Sequence, residues 1–215
     1  MMKGKTEDSG IFKIRNIPEN PFLLFSKWYQ ENQVKNIGTN VLCLSTATKD
    51  GKVSARNVVL RRLDEDGFVI MTDCRSKKVA EMRENPYVAM TFLWVQEVND
   101  GDLQVRQARA EGIIKELPID DWIDIYDREP LYCKIRAYVC HQGQNVEWDD
   151  LKEHHDELHN LFVEGSHTLE RPDHVRAFKM DPSMIEFYET EGDQIADRVM
   201  YLKEEDEWRM TRIAA

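Results

Sequence analysis

The chain has no CxxC pair. Its four cysteines, Cys43, Cys74, Cys133 and Cys140, are scattered, which argues against a zinc knuckle or a redox couple and leaves reduced, mostly buried thiols. No window approaches the roughly 20 uninterrupted apolar residues of a membrane span. The opening MMKGKTEDSGIFKIRNIPEN lacks the apolar core of a signal peptide. The expectation is a cytoplasmic protein with no membrane partner. Positive charge is also short: 29 Lys and Arg stand against 40 Asp and Glu, a net charge of −11, which argues against non-specific binding to nucleic acid. Without a G-x-G-x-x-G run or a G-x-S-x-G elbow, neither a Rossmann nucleotide site nor an esterase-type nucleophile is indicated. No repeat and no low-complexity linker divides the chain, so it reads as a flexible tail over 1–15 and a single domain over 16–215.

What is present is a change of hydrophobic period along the chain. Asn20-Pro21 is an N-cap followed by proline at the first helical position, opening PFLLFSKWYQENQ with Phe22, Phe25 and Tyr29 on one stripe. NVLCLSTAT then reads as strand, KDGK (49–52) as a hairpin turn, VSARNVVLRRL as strand, DEDG as turn and GFVIMTD as strand. SKKVAEMREN follows as a short helix. YVAMTFLWVQ and LQVRQARAEGIIKEL are strands joined through NDGD, and IDDWIDIYDRE and EWDDLKEHHDELHNLF are helices. Two late strands lie around SMIEFYE and RVMYLKEEDEWRMTRI. Hairpin-linked strands with helices inserted late argue α+β with a small antiparallel barrel. His155 and His159 lie one helical turn apart, a spacing that can bind a metal. The acids around them fit an exposed helix instead, and no metal is expected.

In this acidic chain one stretch, RNVVLRRLDEDGFVIMTDCRSKK (56–78), gathers Arg56, Arg61, Arg62, Arg75, Lys77 and Lys78 around strand-like runs. Arg56, Arg61 and Arg62 fall at the two ends of the first strand in this stretch. Ser76, Lys77 and Lys78 fall at a helix start, where free backbone N–H groups favour an anion. Two basic clusters joined by one hairpin can clamp a phosphate. They can equally be solvated strand ends, and spacing alone does not decide.

The run from NVLCLSTATKDGK to AMTFLW (40–94) resembles the core of the pyridoxine/pyridoxamine 5′-phosphate oxidase family. RQARAEG (106–112), EFY (186–188) and a terminal W…R.A pattern continue the likeness in order. The resemblance implies an antiparallel FMN-binding split β-barrel with peripheral helices, and a homodimer with FMN at the subunit interface. It assigns FMN contacts to Arg56, Asn57, Val58, Val59, Leu60 and Arg61 on one strand, with Arg61 replacing a lysine. Thr72 and Asp73 would lie beside the flavin ring, aspartate replacing asparagine, and Lys77 and Lys78 would hold its phosphate. Gln107, Gln142 with Gly143 (for Gln-Ser), Tyr188 (for tryptophan) and Arg198 complete the cofactor set.

On the substrate side the resemblance points to Arg61, Tyr126, Arg128 and Cys133. Arg128 is one position out of register with the family's Arg-Pro, and Cys133 replaces a serine. Gln194 and Ala196 stand where the family has an arginine and a histidine that close over the substrate. The implied activity is oxidation of a small phosphorylated substrate, pyridoxine or pyridoxamine 5′-phosphate, to pyridoxal 5′-phosphate with dioxygen. No catalytic side chain is assigned, because the flavin carries the chemistry. The altered substrate positions leave two alternatives: a diverged flavoenzyme with another substrate, or a non-catalytic protein that binds FMN or a vitamer.

Overall fold

The first helix begins as its sequence implies. The Asn20 side-chain oxygen accepts from the Phe22 N–H at 2.8 Å, and Pro21 takes the first helical position of α1 (Pro21–Gln33), where no N–H is needed. The structure, a computed structural model, describes residues 10–33, 40–98, 101–163 and 169–215. α1 buries Phe22, Phe25 and Trp28, while Tyr29 is only half-buried. The Phe25 ring lies 4.9 Å from Phe68, 4.8 Å from Phe92 and 5.7 Å from Trp94, and Trp28 lies 5.1 Å from Phe187. One helix thus fills the interior face of several strands.

Those strands are β1 (Val41–Ala47), β2 (Val53–Leu63), β3 (Phe68–Asp73), β4 (Tyr87–Glu97), β5 (Leu103–Glu116), β6 (Val175–Glu191), β7 (Asp197–Glu204) and β8 (Glu207–Ile213). They form one sheet in the order β3-β2-β1-β4-β5-β6-β7-β8, and a further β3–β6 pairing closes the first six into a barrel. Every ladder is antiparallel. Period-2 alternation sets the interior: Leu42, Leu44 and Thr46 on β1, and Val88, Met90, Phe92 and Trp94 on β4, are all buried. β6 makes closure possible. Its first part, Val175–Met180, pairs with β3, and Met184–Glu189 pairs with β7, while β5 runs alongside both. At the changeover Gly112 on β5 is required, because a Cβ there would meet the Asp181 carbonyl oxygen at 2.1 Å and Pro182 Cα at 2.6 Å.

The helices α2 (Lys77–Glu84), α3 (Ile123–Asp127), α4 (Leu131–Val139) and α5 (Trp148–Val163) lie between strands in the chain. Several expectations change. RVMYLKEEDEWRMTRI is not one strand but the β7–β8 hairpin, turned at Glu205 with φ of 57°. Its turn has no Gly, Pro or Asn, so the usual signal was missing. The strand around SMIEFYE extends back to Val175, with Pro182 tolerated at the register irregularity. LYCKIRAYV, not read as an element, is α4.

Arg56 lies mid-strand opposite Leu44, not at a strand end. The expected 1–15 tail meets the fold at its inner end: Phe12 N–H donates to the Ile195 carbonyl at 2.8 Å and Ile14 is buried. Residues 1–9 lie outside the described ones, as do Asn99 and Asp100 of the NDGD turn. No described helix is long and apolar enough to cross a membrane.

Candidate functional site

A cavity of about 680 Å3 opens where β2 and β3 face α3, α4 and the chain after α4. That size suits a cofactor or a drug-sized ligand. It has two chemically different ends.

At one end Lys78 is 5% exposed. Its Nζ donates to Thr72 Oγ1 at 3.0 Å, Ser76 Oγ at 3.1 Å and Gln142 Oε1 at 2.8 Å. None of these acceptors carries charge, so the ammonium is buried without a carboxylate bonded to it. Burial first, and then the nearby Arg56 charge, push its pKa down to about 8 against a weaker opposing pull from Asp73. Arg56 donates to Thr46 Oγ1 at 2.6 Å and to the Leu44 carbonyl at 3.2 Å, and pairs with buried Glu81 at 3.2 Å. Burial would raise the Asp73 pKa, but the Arg75 side chain and the backbone N–H groups of Arg75 and Gln142 hold it down at about 2. Among the groups lining this end, Arg56 and Lys78 stand against one carboxylate, Asp73, which Arg75 already pairs, while Glu81 pairs with Arg56 from outside the cavity. This end carries excess positive charge, and its donor set fits the phosphate of FMN.

The other end is built by β2, the turn into α4, and α4 itself. Arg61 Nη2 lies 2.9 Å from Glu129 Oε2, and the two side chains are 19% and 5% exposed. Tyr126, Tyr132, Cys133 and Arg136 also line this end. The Tyr126 hydroxyl donates to the Glu170 carbonyl at 3.0 Å, and burial pushes its pKa up to about 12. It stays a neutral donor.

Of the residues assigned from the sequence, Arg56, Asn57, Val58, Val59, Arg61, Thr72, Asp73, Lys78, Tyr126, Cys133 and Gln142 line this cavity. Four chain segments far apart in sequence meet here. The others do not join them. Leu60 points into the core at 3% exposure. Lys77 is exposed, donating to Ser54 Oγ at 2.9 Å and lying 3.5 Å from Glu81. Arg128 folds back onto Asp124, its neighbour one helical turn earlier. Gly143 serves the turn at φ of 94°. Gln194 lines a separate cleft of about 320 Å3 beneath residues 11–16, and Ala196 lines neither space.

Gln107, Tyr188 and Arg198 form their own constellation. Gln107 pairs with Tyr188, and Tyr188 with Arg198, so three strands present them as one row on the outer face of the sheet. Arg198 Nη2 donates to Glu186 at 2.8 Å. The row continues to Leu93, which is 59% exposed.

The sequence reading missed Glu129, Tyr132, Arg136, Cys140 and His174 as cavity residues. The spacing of Cys133, Arg136, Ala137 and Cys140 is the helical signal that could have found α4's inner face. Glu129 was detectable too, since it directly precedes Pro130, where the family pattern calls for arginine. The paired histidines sit on exposed α5 with their rings 6.0 Å apart. Among the described residues no cluster of three or more His, Cys, Asp or Glu side chains is placed to hold a metal.

This architecture is the FMN-binding split β-barrel, an α+β fold. The chain shares it with PhzG of Burkholderia lata 383, solved with tetrahydrophenazine-1-carboxylic acid, at a TM-score of 0.83 and 21% identity over 96% of this chain and 100% of that one. It also shares it with a pyridoxamine 5′-phosphate oxidase-related, FMN-binding protein of Nostoc punctiforme PCC 73102, at a TM-score of 0.70 and 16% identity, covering 91% and 97%. Residues 29–133 match the pyridoxamine 5′-phosphate oxidase family. The pyridoxine/pyridoxamine 5′-phosphate oxidase of Aliarcobacter butzleri (strain RM4018) is 33% identical over 204 residues, 94% of this chain and 92% of that protein. The chain belongs to the pyridoxine/pyridoxamine 5′-phosphate oxidase family.

Proposed function

We propose that the protein is an FMN-dependent oxidoreductase that works as a homodimer. The observation that carries this reading is Lys78: a buried ammonium whose bonded partners are all neutral, at the cationic end of a cavity large enough for a flavin. Bound FMN supplies a two-electron acceptor that dioxygen can reoxidise. The protein's part is to bind and orient. Lys78 and Arg56 receive the phosphate, and Thr72, Asp73 and Gln142 stand beside it. Tyr126 and Cys133 line the space left for a substrate.

The Gln107–Tyr188–Arg198 row supports the dimer. Its residues were assigned to the flavin, yet they lie on the outer face and not in the cavity. A second copy docked through this face, beside exposed Leu93 and Val41, brings that row to the first copy's flavin.

For the substrate, pyridoxine or pyridoxamine 5′-phosphate is one candidate, since relatives are named for it. A second reading, another substrate on the same flavin, is favoured by Glu129 at the substrate end. The test of the function is direct. Purified protein should be yellow, and a reduced substrate should bleach it without oxygen. A colourless protein that takes up no FMN contradicts the proposal.

A further inference from the structure

The substrate end of the cavity is already charge-paired. Arg61, the arginine on β2 closest to that end, is bound to Glu129 at 2.9 Å, and Glu129 is 95% buried by its 5% side-chain exposure. The pairing is incomplete: Glu129 Oε2 lies outside hydrogen-bonding angle, and Arg61 Nε has no partner among the described residues. Both residues line the cavity. An acceptor and a donor, side by side and buried, are thus left unsatisfied at a ligand-sized space. Buried polar atoms of this kind call for a partner with the matching pattern.

A phosphate ester does not match. Its dianion would have to take Arg61 from Glu129 and sit against the carboxylate it displaced, leaving a buried charge unpaired. Arg136, exposed on the same wall, adds one cation. Arg61, Arg136 and Glu129 together carry a net +1, short of what a dianion requires. A hydroxyl or amine satisfies both orphaned atoms at once, donating its hydrogen to Glu129 and accepting from Arg61 Nε.

We propose that the Arg61–Glu129 pair determines specificity: it rejects phosphorylated substrates and admits a ring whose distal substituent is a hydroxyl or amine. This rests on the reading that FMN fills the cationic end. Glu129 acts on which substrate binds, and the flavin phosphate is left to Lys78 and Arg56.

The experiment is a calorimetric titration of FMN-loaded protein with pyridoxine and with pyridoxine 5′-phosphate, for wild type, Glu129→Gln, Glu129→Arg and Glu129→Asp, each checked by circular dichroism. Wild type should bind pyridoxine at least as tightly as its phosphate. Glu129→Gln frees Arg61 and should move the ratio toward the phosphate by about tenfold or more, Glu129→Arg should move it further, and Glu129→Asp should keep the wild-type ratio. A wild type that prefers the phosphate, a ratio unmoved in Glu129→Gln, or no binding of either compound overturns the proposal. FMN loading is measured first on the same samples. Its failure sinks the function reading, and the two titrations on the FMN-free chain then still test the pair.

Discussion

Lys77 and Lys78 are adjacent, identical in type and opposite in role. Lys78 is buried against neutral acceptors, whereas Lys77 lies in solvent near Glu81. A charge-assisted hydrogen bond is worth about 1.5–3 kcal/mol, so Lys78→Met should weaken FMN binding about ten- to a hundredfold. Lys77→Met, an exposed cation, should change it little. Fluorescence titration of the flavin measures both.

The pH dependence has a definite sign. With its pKa pushed down to about 8, Lys78 is charged below that pH and neutral above it, and a bound phosphate pulls the proton back. FMN affinity should therefore hold steady up to pH ~7.5 and fall above pH 8, at up to about tenfold per pH unit. Riboflavin, which has no phosphate, should show no such fall. Without ligand, the buried charge lowers stability below pH 8, and the loss is recovered as pH rises from there toward the ordinary lysine value. The pair of lysines was legible in the sequence, but which of the two is buried was not. Burial is decided by how α2 seats against β3 and Gln142, contacts 6 and 64 residues away.

At the level of elements, α1 and the β5–β6 crossing hold the barrel that shapes the cavity. Phe25, fully buried among Phe68, Phe92 and Trp94, should lose about 3–5 kcal/mol of stability on replacement by alanine, read by urea unfolding. Gly112→Ala sets a Cβ against the backbone of Asp181 and Pro182 and should lower the melting temperature well beyond Gly51→Ala. A Cβ at Gly51 would meet nothing within 4 Å among the described residues beyond its chain neighbours, and only the φ of 84° is strained, at about 1–2 kcal/mol. Equal melting temperatures for the two would show that β6 gives way freely.

Most elements were legible, because Asn20-Pro21 and Asp50-Gly51 punctuate the chain with residues whose backbone preferences are strong. The β7–β8 turn was not, since Asp206 stands there without a glycine, proline or asparagine beside it, and aspartate alone in an acidic run is a weak signal. Nor was α4, whose short apolar face follows Pro130 and turns toward a cavity rather than the main core.

For the whole molecule, the proposed flavin site takes residues from two copies of the chain. The outer row of Leu93, Gln107, Tyr188 and Arg198 comes from four strands, and its cross-strand register becomes visible only in three dimensions. From sequence, Gln107, Tyr188 and Arg198, though not Leu93, were assigned to the flavin together with Arg56 and Lys78, at an expected subunit interface. A single chain does not bring them together. Leu93→Asp should convert a sedimenting dimer to monomer and weaken FMN binding together with it. A variant that stays dimeric removes this face from the interface.

The central claim is that the cationic end of the cavity grips a flavin by its phosphate. The comparison of FMN with riboflavin, in wild type and Lys78→Met, tests it most directly. Wild type should bind FMN more tightly than riboflavin by at least about ten- to a hundredfold, the worth of one charge-assisted contact, and Lys78→Met should lose most of that margin. Equal affinity for the two flavins in the wild type would contradict the account.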